Sequence, residues 1–230
     1  MEAIVLAGGL GTRLRGIVPD LPKVMAPVCG RPFLEILLSS LAAKGCTRAI
    51  LSLGYLAQRI QNHFGPRFAG IDLVYEIEST PLGTGGALRR ALVRCEEDHV
   101  LVLNGDSYLD LEIDDLQSRW QQCRHPIIVA REVEDTCRYG RLVTAGDRLV
   151  GFTEKGVPGH GLINAGHYLL PQDIARHFPA AEAFSLERDF LVKTPAACPF
   201  EVFTTHGQFI DIGVPDDYVR AQSKLLPLCQ

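Results

Sequence analysis

The start of the chain joins an apolar strand pattern to a glycine-rich loop. Glu2–Ala7 is a short apolar run that predicts a buried strand, and residues 8–11 (GGLG) follow it directly. Glycines at the end of a strand leave several backbone N–H groups open at one edge of a sheet, with no Cβ to block a ligand. Such a loop suits phosphate oxygens, and Arg13, Arg15 and Lys23 add fixed positive charge. The pattern predicts an α/β fold with a nucleotide-phosphate site at its first strand.

Three other interpretations of the glycine loop compete with this prediction. A plain strand-to-helix turn is the least favoured, because three glycines in four positions precede two arginines. A dinucleotide-binding loop would need Gly or Ala in place of Leu14, and the next strand pattern, Ala49–Leu53, ends in Gly54-Tyr55 and not in an acid. A Walker A loop would need Gly-Lys-Ser/Thr after four spacer residues. By elimination, we expect a nucleoside triphosphate held by backbone and arginine.

The composition limits the class of protein. The 230 residues are 47% hydrophobic and 22% charged, which suits one globular domain over residues 1–230. The net charge of −4 argues against a nucleic-acid partner. No apolar run nears the roughly 20 residues of a membrane span, and no signal-peptide pattern precedes the first strand. Seven dispersed cysteines without a Cys-x-x-Cys pair indicate reduced thiols, so we expect a cytoplasmic protein without a membrane partner.

Strand and helix patterns alternate through the first half of the chain. The alternation predicts a single-domain, Rossmann-like α/β fold, with a mostly parallel central sheet, helices on both faces and no C-terminal β-helix. The second half is less regular, which divides the domain into a nucleotide half, roughly 1–110, and an acceptor half, 111–230. The predicted elements of the first half are helices over 33–43, 56–64 and 84–94 and strands over 48–53, 71–76 and 100–103. Those of the second half are strands over 126–130, 142–143, 149–152, 167–170, 200–204 and 208–212 and helices over 171–178, 186–192 and 216–226.

Two carboxylates stand at predicted strand ends. Asp106 closes the apolar strand over 100–103 within the segment Asn104-Gly105-Asp106, and Asp211 lies between Ile210 and Ile212. Ligands of open α/β sheets bind at the carboxyl ends of strands, and a carboxylate in apolar surroundings is costly unless a cation or hydrogen bonds satisfy it. The two acids can therefore share one Mg²⁺, with phosphate oxygens and water completing its shell. The structural alternatives are an Asx turn at Asp106 and a helix cap at Asp211.

A second glycine-rich segment, residues 78–87 (ESTPLGTGGA), follows the third predicted strand. Its glycines would allow close approach of a flat base or ribose, and the helix that begins there favours anionic groups. The alternative is a simple helix entry with Thr84 as the N-cap. This segment supports a nucleotide site only together with the first one.

These motifs together resemble the sugar-1-phosphate nucleotidyltransferase family from one end of the chain to the other. The resemblance implies Mg²⁺-dependent condensation of a nucleoside triphosphate with a sugar 1-phosphate, with release of pyrophosphate. It is carried by LAGGLGTRL at 6–14, PK at 22–23, PLGTGG at 81–86, NGD at 104–106, FTEK at 152–155, NAG at 164–166 and DIG at 211–213.

The resemblance also implies roles for individual residues. Asp106 and Asp211 would be the metal ligands, and Arg13, Lys23 and Asp106 would form the catalytic set. The nucleotide would contact Leu6, Ala7, Gly8, Gly9, Gly11, Thr12, Arg13, Glu78, Pro81, Gly83, Thr84, Asn104 and Gly105. The sugar pocket would contain Gly140, Glu154, Lys155, Asn164 and Gly166.

The base loop, residues 81–86, is similar to that of the guanylyl enzymes, which predicts GTP as the donor. Within these, the chain is most similar to the D-glycero-α-D-manno-heptose 1-phosphate guanylyltransferases. Mannose 1-phosphate guanylyl transfer and hexose 1-phosphate thymidylyl or uridylyl transfer stay open, as does a homodimer. Gly16, Val24 and Val214 depart from residues common in the wider family and bear on the substrate more than on the chemistry. A non-catalytic sugar-nucleotide sensor and a nicotinamide-linked dehydrogenase are the alternatives from other classes.

Some residues near the acceptor segments allow two interpretations. Glu187 lies in a capped helix start, yet in the resembling family an acid here approaches the sugar. Residues 138–141 (RYGR) form a plain turn or bring arginine to the sugar phosphate. Trp120 is expected on a surface helix in a packing role.

Overall fold

The computed structural model describes residues 1–9, 11–14, 16–153, 156–193 and 198–229. The strands are β1 (Glu2–Ala7), β2 (Pro27–Val28), β3 (Arg31–Pro32), β4 (Arg48–Leu53), β5 (Arg67–Phe68), β6 (Ile71–Ile77), β7 (His99–Asn104), β8 (Ser107–Leu109), β9 (Ile127–Val133), β10 (Arg141–Ala145), β11 (Arg148–Thr153), β12 (Gly161–Pro171), β13 (Glu201–Thr205) and β14 (Phe209–Asp211). The α-helices are α1 (Phe33–Ala43), α2 (Ala57–Phe64), α3 (Gly83–Leu92), α4 (Ile113–Cys123) and α5 (Pro215–Lys224). Short 3-10 helices span Lys23–Met25, Gln172–His177 and Leu226–Leu228, and a π-helix spans Leu186–Leu191.

One half of the central sheet is parallel, as the sequence predicts. The sheet has ten strands in the order β10-β11-β13-β9-β12-β7-β1-β4-β6-β5. Strand β1 lies between β7 and β4 with both pairings parallel, and β4 pairs with β6 in the same sense. Ala3, Ile4 and Val5 in β1 are fully buried, which explains its continuous apolar run.

The second half of the chain adds antiparallel pairs to the sheet. Strand β12 lies antiparallel to β7 on one side and to β9 on the other, whereas β13 is parallel to β9. Strands β8 and β14 form a separate antiparallel ribbon beside the sheet. The α/β class and the parallel first half are confirmed, and the sheet as a whole is mixed.

Helices cover both faces of the sheet, as predicted. Alternate residues of β1 divide between two cores: Val5 packs with residues of α1, α2 and α4, and Ile4 packs with residues of α3 and of the π-helix. Each face is apolar because successive side chains of a strand point to opposite sides.

Several predicted elements differ in detail. The helix expected over 186–192 is the π-helix, and the helix expected over 171–178 is a 3-10 helix. Trp120 does lie on a helix, but the side chain is buried and its ring stacks on His99 with centroids 5.1 Å apart. Among the described residues, no helix combines the length and the apolar character that crossing a membrane requires.

Candidate active site

A cleft of about 460 Å³ opens at the carboxyl ends of β1 and β7, next to the start of α3. We call it the glycine cleft. It is lined by Leu6, Ala7, Gly8, Gly9, Gly11, Thr12, Arg13, Lys23, Val24, Glu78, Pro81, Gly83, Thr84, Ala87, Asn104, Asp106 and Gly213. Every residue that the sequence assigns to nucleotide binding is in this set except Gly105, whose N–H donates to the Leu6 carbonyl at 2.9 Å behind the cleft.

Close backbone packing explains the glycine at position 8. A Cβ on Gly8 would lie 2.7 Å from Glu78 Oε1, and a Cβ on Gly54 would lie 2.8 Å from the Gly8 carbonyl oxygen. Glu78 is itself fixed, because its Oε2 accepts from the Leu82 N–H at 2.9 Å. The first glycine loop thus packs directly against the backbone at Gly54 and against the Glu78 carboxylate, with no room for a side chain on Gly8.

Asp106 and Asp211 converge at one end of the glycine cleft. Strand β14 pairs with β8 so that Asp211 lies opposite Ser107, and the Ile212 N–H donates to the Asp106 carbonyl at 2.9 Å. The Gly213 N–H donates to Asp211 Oδ1 at 2.6 Å. Burial, and next the charge of Asp106, raise the pKa of Asp211. The structure thus brings together two acids far apart in sequence.

Lys23 lies between these two acids. Its ammonium forms an ion pair with Asp106, and a Cβ added at Gly213, beside Asp211, would lie 3.3 Å from Lys23 Nζ. Its positive charge also acts to lower the pKa of Asp211. Within the described ranges, no group of three or more His, Cys, Asp or Glu side chains is placed to hold a metal ion.

A second cleft, of about 520 Å³, adjoins the first and shares Arg13 and Asn104 with it. We call it the aromatic cleft. It is lined by Arg13, Asn104, Ser107, Tyr139, Gly140, Phe152, Asn164, Ala165, Gly166, Ser185, Glu187, Arg188, Phe209 and Asp211. Of the predicted sugar-site residues, Gly140, Asn164 and Gly166 are here. Glu154 and Lys155, like Arg15 of the first loop, lie outside the described residues.

Asn164 and Gly166 give the aromatic cleft its shape. The Asn164 amide donates to Tyr168 Oη at 2.6 Å and accepts from the Gly166 N–H at 2.9 Å. Gly166 has φ +70°, and a Cβ there would lie 2.4 Å from Asn104 Nδ2. The absence of a side chain on Gly166 lets the Asn104 side chain, which lines both clefts, pack against it.

Sequence reasoning missed several residues of the aromatic cleft. Ser107, Tyr139, Phe152, Ser185, Arg188 and Phe209 line it without having been assigned to it. Phe209 stands two positions before Asp211, so the alternation of β14 could have revealed it. Ser107 and Tyr139 adjoin the predicted Asp106 and Gly140, and Phe152 begins the segment 152–155, so proximity in sequence could have indicated them. Ser185 and Arg188 reach the cleft together, at the start of the π-helix.

Two ambiguous segments have definite positions. Glu187 lines the aromatic cleft and accepts from Thr84 Oγ1 at 2.9 Å and from Ser185 Oγ at 3.0 Å. In residues 138–141, Tyr139 and Gly140 line the cleft, whereas Arg138 forms an ion pair with the buried carboxylate of Asp217 on α5.

Three known proteins are similar to this chain over most of its length. The D-glycero-α-D-manno-heptose 1-phosphate guanylyltransferase of Aneurinibacillus thermoaerophilus is 40% identical, covering 98% of each chain. The mannose-1-phosphate guanylyltransferase of Mycobacterium tuberculosis is 32% identical over 98% of this chain and 65% of its own length. The crystal structure of HddC from Yersinia pseudotuberculosis complexed with GMP-PN has a TM-score of 0.85 and 38% identity, covering 97% of this chain and 99% of that one.

The family itself follows from a match over almost the whole chain. The sequence pattern of the nucleotidyl transferase family matches residues 2–227. The matched region contains both clefts and the two acids at their junction. The chain therefore belongs to the nucleotidyl transferase family.

Proposed function

We propose that the protein transfers GMP from GTP to D-glycero-α-D-manno-heptose 1-phosphate, giving GDP-heptose and pyrophosphate. The observation that carries the proposal is the meeting of two clefts at Arg13 and Asn104, with Asp106 and Asp211 beside that junction. A transferase for two phosphorylated substrates needs two such pockets with a charged centre between them.

The glycine cleft suits the triphosphate and the aromatic cleft suits the sugar phosphate. The glycine cleft has close-packed backbone at Gly8 and the cations Arg13 and Lys23. The aromatic cleft has rings and amides that fit a sugar's apolar face and hydroxyls, with Arg188 at its wall. We propose that the residues predicted for the nucleotide site bind GTP and that those predicted for the sugar pocket bind the sugar 1-phosphate.

The acids at the junction fit a divalent cation. Asp106 and Asp211 offer carboxylate oxygens, which are the ligands that Mg²⁺ prefers. Burial is the main cause of the raised pKa of Asp211, and repulsion by the Asp106 carboxylate raises that pKa further. An added positive charge would relieve that repulsion. We propose Mg²⁺ held by these two residues; when bound, it supplies charge neutralisation for the phosphate oxygens of both substrates.

The chain's own residues then have distinct tasks in an in-line displacement. The phosphate oxygen of the sugar 1-phosphate attacks the α-phosphorus of GTP, the bond to the β-phosphate oxygen breaks, and pyrophosphate leaves. The attacking oxygen is already anionic, so the reaction requires no strong general base. Arg13 and Lys23 stabilise negative charge on the α-phosphate and on departing pyrophosphate. Asn104, packed against Gly166, lies where the two clefts meet and separates the two substrates there.

Mannose 1-phosphate is the second candidate acceptor. The similar mannose enzyme is 32% identical to this chain, whereas the similar heptose enzyme is 40% identical. This difference favours the heptose. The preference for guanine rests on both relatives and on the HddC complex with GMP-PN.

One experiment tests the function directly. Purified protein with Mg²⁺ is incubated with each of GTP, ATP, CTP, UTP and dTTP and with heptose, mannose or glucose 1-phosphate, and pyrophosphate release is measured. We expect GTP with the manno-configured heptose to give the highest rate. Release with UTP or dTTP and glucose 1-phosphate alone would overturn the specificity, and release with no pair would overturn the activity.

A further inference from the structure

Two thiols far apart in sequence, Cys29 and Cys229, lie where the β2–β3 hairpin packs against α5 and the segment after it. Cys29 is in the turn of the β2–β3 hairpin, and Cys229 follows the last 3-10 helix. Both side chains pack against the same apolar core, and burial and next the neighbouring Cys29 thiol raise the pKa of Cys229. All seven cysteines are free thiols.

The backbones that carry these thiols are held together by other contacts. The Cys29 N–H donates to Gln222 Oε1 at 2.9 Å, and its thiol donates to the Gln222 carbonyl at 2.9 Å. The Arg31 guanidinium donates to the Leu228 carbonyl at 3.3 Å. These bonds hold the hairpin turn beside the backbone of α5 and of the last 3-10 helix.

Strand β2, just before Cys29, is also hydrogen-bonded to α5. The Pro27 carbonyl accepts from Tyr218 Oη at 2.6 Å and from Gln222 Nε2 at 3.0 Å. On the opposite side, Cys229 Sγ lies 3.9 Å from the Val28 carbonyl oxygen. The β2–β3 hairpin thus packs against α5 and the segment after it. One thiol lies on the hairpin and the other just after the last 3-10 helix.

The remaining cysteines lack this arrangement. Cys46, Cys95 and Cys198 are buried, which keeps small oxidants away from them. Cys123 contacts the His125 carbonyl, and Cys137 is exposed; within the described part of the chain, neither has a recorded contact with another thiol. Cys29 and Cys229 are half-buried, so a small reagent can reach the pair.

We propose that Cys29 and Cys229 form an intramolecular disulfide when the protein meets a small disulfide oxidant such as oxidised glutathione. One thiol loses its proton and attacks the oxidant, which releases one reduced thiol and leaves a mixed disulfide on the protein. The second cysteine, also deprotonated, attacks the protein sulfur and releases the second reduced thiol. Two protein thiols are oxidised, and one small disulfide is reduced to two thiols that take up the two protons.

The crosslink would join the hairpin that follows Lys23 to the segment that follows α5. The β2–β3 hairpin follows the 3-10 helix that begins with Lys23, and α5 follows Asp211 and Gly213. A bond between chain ends closes a very long loop, and such bonds stabilise mainly by restricting the unfolded chain. We therefore expect oxidation to raise thermal stability.

The test uses the folded full-length protein and oxidised glutathione at mildly alkaline pH. Free thiols are counted, and crosslinked peptides are identified by mass spectrometry without reduction. We expect two thiols to disappear, one peptide pair containing Cys29 and Cys229, and a thermal midpoint several degrees higher that returns on reduction. The Cys137→Ser variant should behave in the same way, whereas Cys29→Ser and Cys229→Ser, each verified as folded by circular dichroism, should show no crosslink.

Other results would overturn the proposal. They are retention of all thiols, mixed disulfides with glutathione only, a pairing of other cysteines, or a midpoint that falls on crosslinking. None of these measurements uses enzymatic activity, so their outcome is independent of the proposed function.

Discussion

The glycine cleft and the aromatic cleft are built in different ways. Much of the glycine cleft comes from residues 6–9 and 11–13, at and just after the carboxyl end of β1. The aromatic cleft collects single residues or short segments from many parts of the chain, including β8, β11, β12 and β14. The first is formed by local sequence on a parallel sheet, and the second by long-range packing.

The two clefts also use different interactions. Glycine backbone shapes much of the glycine cleft, because Gly8 lies directly against the Gly54 backbone and the Glu78 carboxylate. Side-chain ties carry the aromatic cleft, such as Asn164 to Tyr168 and Glu187 to Thr84. We therefore expect substitutions at the charged centre to reduce turnover, and substitutions behind the aromatic cleft to affect one substrate selectively.

The largest effect is expected from Asp106→Asn, at the point where the clefts meet. Loss of this charge should lower kcat by about 100-fold or more while the far-ultraviolet circular dichroism spectrum stays unchanged. Pyrophosphate release over a range of Mg²⁺ concentrations measures the effect. Asp110→Asn is the matched control, because Asp110 is exposed and pairs with Lys44 at 2.7 Å on the surface. Near-normal turnover of Asp106→Asn at low Mg²⁺ would remove Asp106 from the metal site.

Lys23→Met should have the next largest effect, a fall in kcat of roughly 10- to 100-fold, because the variant removes the cation between Asp106 and Asp211. Steady-state kinetics with GTP and the sugar phosphate measure it. Lys44→Met removes a surface lysine of the same size and should leave kcat unchanged. Equal kinetics for the two variants would show that Lys23 is structural.

Sequence alone predicts the glycine cleft far better than the aromatic one. The strand, the glycines and the cations that form it are neighbours in the chain, so local rules apply. The helix at 33–43 and the strand at 48–53 match the predicted bounds, since both have strong periodic or apolar patterns with clear ends. The parallel order of β7, β1 and β4 follows from the same alternation.

The rest depends on contacts that sequence does not encode locally. Strand β8 is three residues long and exists because β14 pairs with it, which is how Asp211 reaches Asp106. Tyr139 and Phe152 reach the aromatic cleft through an antiparallel hairpin whose register no local motif fixes. The convergence of the two acids was predictable from their chemistry, but the ribbon that produces it was not.

Gly166→Ala, compared with a second glycine variant, distinguishes the effect of backbone strain from the effect of displacing Asn104 at the junction of the clefts. The variant places a Cβ at φ +70° against Asn104, so we expect a stability loss of about 1 kcal/mol or more and a higher KM for both substrates. Gly146→Ala is the control, because Gly146 has φ +58° with no atom near its Cβ position. It should lose stability in thermal melts without a change in KM. A normal KM in both variants would contradict the role of Asn104 at the junction.

Asp217→Asn should affect only the aromatic cleft. The buried Asp217 carboxylate holds Arg138, next to Tyr139 and Gly140 of the cleft wall. Loosening that wall should raise KM for the sugar phosphate by about tenfold and leave KM for GTP unchanged. Asp216→Asn alters the exposed neighbouring acid and serves as the control. An equal rise in both KM values would mean that α5 supports the two clefts alike.

The last prediction concerns the rate of thiol labelling and no change in activity. It compares two buried cysteines of the first half of the chain, Cys46 and Cys95, with the exposed Cys137 of the second half. Burial raises the pKa of Cys46 to about 11 and that of Cys95 to about 12, so both thiols stay protonated and shielded at pH values near neutrality. Cys137, on the segment that carries Tyr139, is exposed. Because the thiolate is the reactive form, a brief treatment with iodoacetamide should label Cys137 well before Cys46 and Cys95. Peptide mass spectrometry measures the order, and Cys137→Ser should remove the earliest adduct. Early labelling of Cys46 or Cys95 would mean that the core near the amino end of β1 opens as readily as the exposed segment that carries Tyr139.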